Sequence, residues 1–162
     1  MSGTLFIRNR QRARAIDLRF LRCLTRTLLR DLLAQPNFEL GIYLVARAEI
    51  TWLNETFLQH QGSTDVITFD YGENPAAGLP GEIFICIDEA ISQARKFRTT
   101  WQKELVRYII HGVLHLCGHD DRRASARRRM KTQEDRLLRQ LALHCDFRRL
   151  LTSPSPRGRG PG

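Results

Sequence analysis

The stretch Ile109-Ile-His-Gly-Val-Leu-His-Leu-Cys-Gly118 constrains this chain more than any other. Its spacing predicts a helix from about Trp101 to Cys117, ended by Gly118, a residue free to turn left-handed. Ile109, Ile110, Val113 and Leu114 make that helix largely buried, so the fold must supply a core around it. His111 and His115 lie one turn apart on the same face, and two imidazoles in an apolar helix need partners. A metal ion is such a partner, since neutral imidazole is a common zinc ligand. The turn at Gly118 brings His119, Asp120 or Asp121 within reach as a third ligand. Two hydrogen-bonded core histidines are the alternative.

Around this helix the apolar pattern predicts an α+β fold in one domain. Strands are expected at Thr4–Arg8, Phe38–Ala46, Ser63–Asp70 and Glu82–Ile87. The unbroken apolar run Ile42 to Ala46 suits a strand covered on both faces. Asp17 opens a helix carrying Leu21, Leu24, Leu28 and Leu32, which Pro36-Asn37 stops. Arg47–Gln61 has helical composition, Asp88 is placed to cap a helix running to Phe97, and Ala124–Leu143 forms the last helix. A loop with Gly72, Pro75, Gly78, Pro80 and Gly81 joins two of the strands. The domain is expected over residues 1–150, with 151–162 a disordered, Pro- and Gly-rich tail.

Composition narrows the partners. Among 162 residues, 26 are Lys or Arg against 17 Asp or Glu, a net +9 that suits a polyanion such as RNA. All but Lys96, Lys103 and Lys131 of the basic residues are arginine, a skew that codon usage also produces. No apolar run approaches the roughly twenty residues of a membrane span. The N-terminus has no secretory pattern, and four scattered cysteines form no disulfide framework. A cytoplasmic protein with reduced thiols is expected.

The catalytic class is narrowed by an absence. Zinc peptidases with HExxH place a glutamate base directly after the first histidine. This chain has Gly112 there, so it lacks that base, and no general base is assigned. The segment His111–Asp121 resembles the HGxLHLxGxDH signature of the YbeY family, zincin-like bacterial endoribonucleases of rRNA maturation. Leu53-Asn54, Ser63–Phe69, Gly81–Ile85 and Met130…Glu134-Asp135 are similar to the family's other segments, and the likeness runs from about Leu5 to Leu143.

The resemblance implies a zincin-like domain, a small mixed sheet packed with helices and a metal site on its central helix. It also implies one Zn²⁺ per chain held by His111, His115 and Asp121. Aspartate stands where the family usually has a third histidine, and His119 is the rival ligand. The implied activity is cleavage of single-stranded RNA in 3′ maturation of small-subunit rRNA and in ribosome quality control. Implied partners are ribosomal RNA, the small ribosomal subunit and a ribosome-assembly GTPase.

Arg122 and Arg123 follow the ligands closely and are candidates for gripping phosphates. Arg8, Arg10, Arg12 and Arg14 alternate as on an exposed strand edge, where they could track an RNA backbone. Leu58 departs from the family, which usually has an RNA-contacting arginine there. Asp65 is a candidate for orienting a ligand, Cys117 is expected to be an inert thiol, and Phe6, Phe69 and Phe84 are expected in the core. Two other readings stay open: an RNA-binding assembly factor with a structural metal, and a hydrolase of another substrate.

Overall fold

The computed structural model describes residues 3–72 and 78–152. Four strands, β1 (Thr4–Arg10), β2 (Phe38–Val45), β3 (Val66–Asp70) and β4 (Leu79–Cys86), form one sheet in the order β1-β2-β4-β3. β1, β2 and β4 run parallel, and β3 closes the edge antiparallel to β4, pairing Thr68 with Ile83 and Phe69 with Glu82. Alternation along the strands gives the sheet two different faces. Leu40, Ile42, Leu44, Ile83 and Ile85 pack into the main core with α1 (Leu18–Arg26), α4 (Trp101–Leu116) and α5 (Ala124–His144). Val45, Ile67, Phe84 and Cys86 meet Ile50 and Leu53 of α2 (Arg47–Phe57) on the other face. The expected α+β domain with helices packed on a small mixed sheet is the one observed. α4 sits at its centre, with eleven of its sixteen residues buried.

Several boundaries move for reasons set by packing. Asp17 caps α1 as expected, accepting from the Phe20 N–H at 3.1 Å. The helix then passes into a π-helical turn, Thr27–Leu32, in which the Leu33 N–H donates to the Leu28 carbonyl at 3.0 Å. The wider turn puts both Leu28 and Leu29 in the core and leaves Leu32 only half-buried. α2 stops at Phe57, well short of Gln61. Gln59 turns left-handed (φ 57°), and the buried Asn54 amide donates to the Gly62 carbonyl at 3.0 Å. Asp88 does not cap its own helix α3 (Ile87–Phe97); its carboxylate accepts from the Arg47 N–H at 3.0 Å and so caps α2.

Phe6 lies outside the core, 58% exposed on the edge strand β1, whereas Phe84 is buried and Phe69 half-buried. Arg10 is tied to Glu49 at 2.6 Å and lies over the Tyr43 ring. After α5, a short 3-10 turn (Phe147–Leu150) leads to Leu151, which pairs with Ile16, and Thr152, which donates to the Ala15 carbonyl. The fold's contacts thus continue two residues past position 150. Residues 73–77 of the expected loop, and 153–162 of the expected tail, lie outside the described residues. No helix among the described residues is long and apolar enough to cross a membrane, and the four cysteines are free.

Candidate metal centre

α4 begins where Thr100 accepts from the Lys103 N–H at 3.2 Å. It lies close on the sheet because two glycines permit it. A Cβ on Gly81 would come within 2.6 Å of Leu116, and one on Gly112 within 2.8 Å of Ile83. Gly112 therefore faces β4, and a glutamate there would drive into the sheet. The peptidase base is excluded by space as well as by sequence.

Both histidines lie on the half-buried side of α4, with their Nε2 atoms 3.1 Å apart. The helix ends in a Schellman turn. Gly118 (φ 101°) donates to the His115 carbonyl and His119 to the Leu114 carbonyl, each at 3.0 Å. The chain doubles back, placing Asp121 Oδ2 at 3.7 Å from both histidine Nε2 atoms. One ligand atom from each of the three residues lies within 4.8 Å of the others. Two nitrogens bound to a tetrahedral zinc at about 2.0–2.1 Å sit roughly 3.3 Å apart, close to the separation here. The donor set of two imidazoles and a carboxylate fits a metal with an open position. His119 is exposed and stands outside this group.

Glu134 completes the arrangement. This glutamate on α5 is only 6% exposed, and its Oε2 accepts from His111 Nδ1 at 2.5 Å. The contact puts the proton on Nδ1 and turns the Nε2 lone pair toward His115 and Asp121. Arg107 lies 3.7 Å from Glu134 and donates to Asp135 at 2.8 Å, balancing the buried charge. Burial pulls the His111 pKa down, but the hydrogen bond and charge of Glu134, with Asp121 and Asp65 behind it, outweigh burial and raise it. His115 is lowered, by burial first and by His111 second. Sequence reasoning missed the role of Glu134. Its signal was an acid among Met130, Leu137, Leu138 and Leu141, the apolar stripe of α5.

The remaining candidates separate clearly. The loop carrying Asp121 is held by Arg127, which donates to the Asp121 and Arg122 carbonyls at 3.2 and 3.1 Å. Arg122 and Arg123 are exposed beside the cluster at the start of α5. Asp65 accepts from the Val66 N–H and acts on His111 only through its charge. Leu58 ends α2 with 42% exposure, and the neighbouring Phe57 and Trp52 are more exposed still. Burial raises the Cys117 thiol pKa, which keeps it protonated and unreactive.

Residues 6–142 match the family model described as Endoribonuclease YbeY. The chain belongs to this family. An Endoribonuclease YbeY of Chlorobium luteolum is 45% identical over 89 residues, which cover 55% of this chain and 64% of that protein. One from Salinibacter ruber is 33% identical over 106 residues, 61% of this chain and 68% of the relative. One from Parabacteroides distasonis is 41% identical over 97 residues, 60% and 67%. The matched stretches thus span about two thirds of these relatives, and slightly less of the first. The fold is shared with a solution structure of a Thermotoga maritima protein. That likeness has a TM-score of 0.61 at 24% identity and covers 96% of this chain and 100% of the other.

Proposed function

We propose that this protein is a zinc-dependent endoribonuclease that cuts single-stranded RNA in 3′ maturation of small-subunit rRNA and in ribosome quality control. The observation that carries the reading is the convergence of His111, His115 and Asp121 in a chain of this family. One Zn²⁺ per chain would be held by those three residues. When bound, zinc supplies Lewis acidity toward a phosphoryl oxygen and acidifies water at neutral pH. The chain's own residues do the positioning. Glu134 keeps the proton on His111 Nδ1, Arg107 balances that carboxylate, and Arg127 fixes the turn bearing Asp121. Arg122 and Arg123 grip the phosphates flanking the scissile bond.

The setting implied is the cytoplasm, with ribosomal RNA, the small ribosomal subunit and a ribosome-assembly GTPase as partners. An apolar, exposed Leu58 favours one second reading, an assembly factor that binds RNA around a structural metal without cutting it. The test is metal content per chain and cleavage of a single-stranded rRNA 3′ precursor for wild type, His115→Ala and Asp121→Ala. About one zinc, lost with cleavage in both folded variants, supports the enzyme. A zinc-loaded, folded protein that never cuts RNA, alone or with ribosomes, sinks it.

A further inference from the structure

Beside the metal centre, between α3, α4 and the start of β3, lies a cavity of about 440 Å³. Its wall includes Asp65, Phe97, Lys103, Glu104, Tyr108 and Lys131. Several independent observations mark it as a built site. The chain has only three lysines among 26 basic residues, and two of them, Lys103 and Lys131, line this cavity. The ammonium of Lys96 sits 5.5 Å from the Phe97 ring centroid. Phe97 is 63% exposed, an aromatic surface open to a planar group. Tyr108 is 5% exposed, and among the described residues its hydroxyl has no hydrogen-bond partner. A buried hydroxyl left unpaired is costly unless a ligand or water completes it.

The mixture of charges identifies the ligand class. Lysines alone would suit any anion, but Asp65 and Glu104 repel a bare phosphate and accept from N–H or O–H groups. A molecule with an anionic end, a flat ring and donor groups satisfies all of these. We propose that this cavity is a subsite for one ribonucleotide of the RNA strand, adjoining the metal centre. The base stacks on Phe97. Its phosphate meets Lys103 and Lys131. Asp65 and Glu104 accept from the ribose hydroxyl or an exocyclic amine, as carboxylates do from cytosine N4. At 1.5 Å per helical residue, Lys103 and His111 are about 12 Å apart along α4, and Tyr108 stands less than one turn from His111. The subsite therefore continues the path of a strand lying across the metal centre. It rests on the endoribonuclease reading for its substrate class.

The test uses the full chain and cytidine 3′-monophosphate, which has no internucleotide bond to cut. Titration followed by amide NMR shifts should perturb Gln93, Phe97, Thr99 and Lys103 saturably. Phe97→Ala, and Lys103→Ala combined with Lys131→Ala, should each weaken binding at least about fivefold. Arg19→Ala, on the exposed side of α1, should leave it unchanged. The 2′-deoxy analogue should bind more weakly. Tyr108→Phe should raise the melting temperature of the free protein yet weaken nucleotide binding about fivefold, a pair of effects that a packing role does not give. Shifts reproduced by inorganic phosphate alone, or binding indifferent to Phe97 and both lysines, would overturn the subsite. RNA cut normally after replacement of both lysines removes the subsite and leaves the enzyme. Nucleotide bound here by a chain that never cuts RNA keeps the subsite and removes the enzyme.

Discussion

Replacing Glu134 tests whether the metal centre depends on a residue that touches no metal. Its carboxylate accepts from His111 Nδ1 at 2.5 Å from a nearly buried position, so the bond is charge-assisted and shielded from water. Such bonds contribute about 1.5–3 kcal/mol. Partners of this kind, when removed from metal-binding histidines, cost about 10–100-fold in metal affinity, which is roughly 1.4–2.8 kcal/mol. The two ranges agree. Glu134→Gln keeps an acceptor for Nδ1–H and removes only the charge, so zinc affinity should fall about tenfold. Glu134→Ala removes both and leaves Arg107 to Glu104 and Asp135, so the loss should approach a hundredfold. Competition for zinc against a chelating dye measures both constants, with melting curves to confirm that each variant is folded. Wild-type affinity in a folded Glu134→Ala would refute the argument.

Other perturbations separate further parts of the account. His119→Ala should keep its metal by direct elemental analysis; loss of the metal from that variant would put the third ligand at the wrong residue. Gly112→Ala presses a methyl to 2.8 Å from Ile83, an overpacking cost of about 1–3 kcal/mol against a helix gain of at most about 1. Urea unfolding should show a net loss that Ile83→Val partly restores. Asp88→Ala should cost about 1 kcal/mol through the unsatisfied start of α2, and an unchanged melting temperature would count against that cap. In metal-free protein, the raised His111 pKa stabilises the fold fully below 6.5 and loses that contribution as pH rises through the folded value. The lowered His115 pKa acts in the opposite sense: its contribution is present above 6.5 and is lost as pH falls through the lower folded value. Metal-free His115→Ala should therefore show urea midpoints that fall as pH rises past 6.5; a rise would contradict the assignment to Glu134.

The sequence spoke most clearly where the chemistry is local. The apolar run in β2, the helical spacing of α4 and the turn at Gly118 each depend on neighbours within a few positions. The two histidines and Asp121 were legible for the same reason, since one helix and its terminal turn bring them together. Glu134 was not, because its bond to His111 spans 23 positions and depends on how α5 crosses α4. The Asp88 cap spans 41 positions, and in sequence it looks identical to a cap on its own helix. The π-helical turn was hidden because both leucine registers give an amphipathic pattern, and only the core decides between them. Phe6 reads as a core residue until the strand order places it on an edge.

The Asp121 carbonyl held by Arg127 has a mechanical consequence. Two of the three candidate ligands ride on α4, whereas the third is hooked to α5, the helix that also carries Glu134. An ion bound there would add a third tie between two helices that these hydrogen bonds already join. The exposed basic row of α5, with Arg128, Arg129 and Lys131, lies on the helix that this third tie would stiffen. Slower amide exchange along the first turns of α5 would register the ion before any substrate arrives.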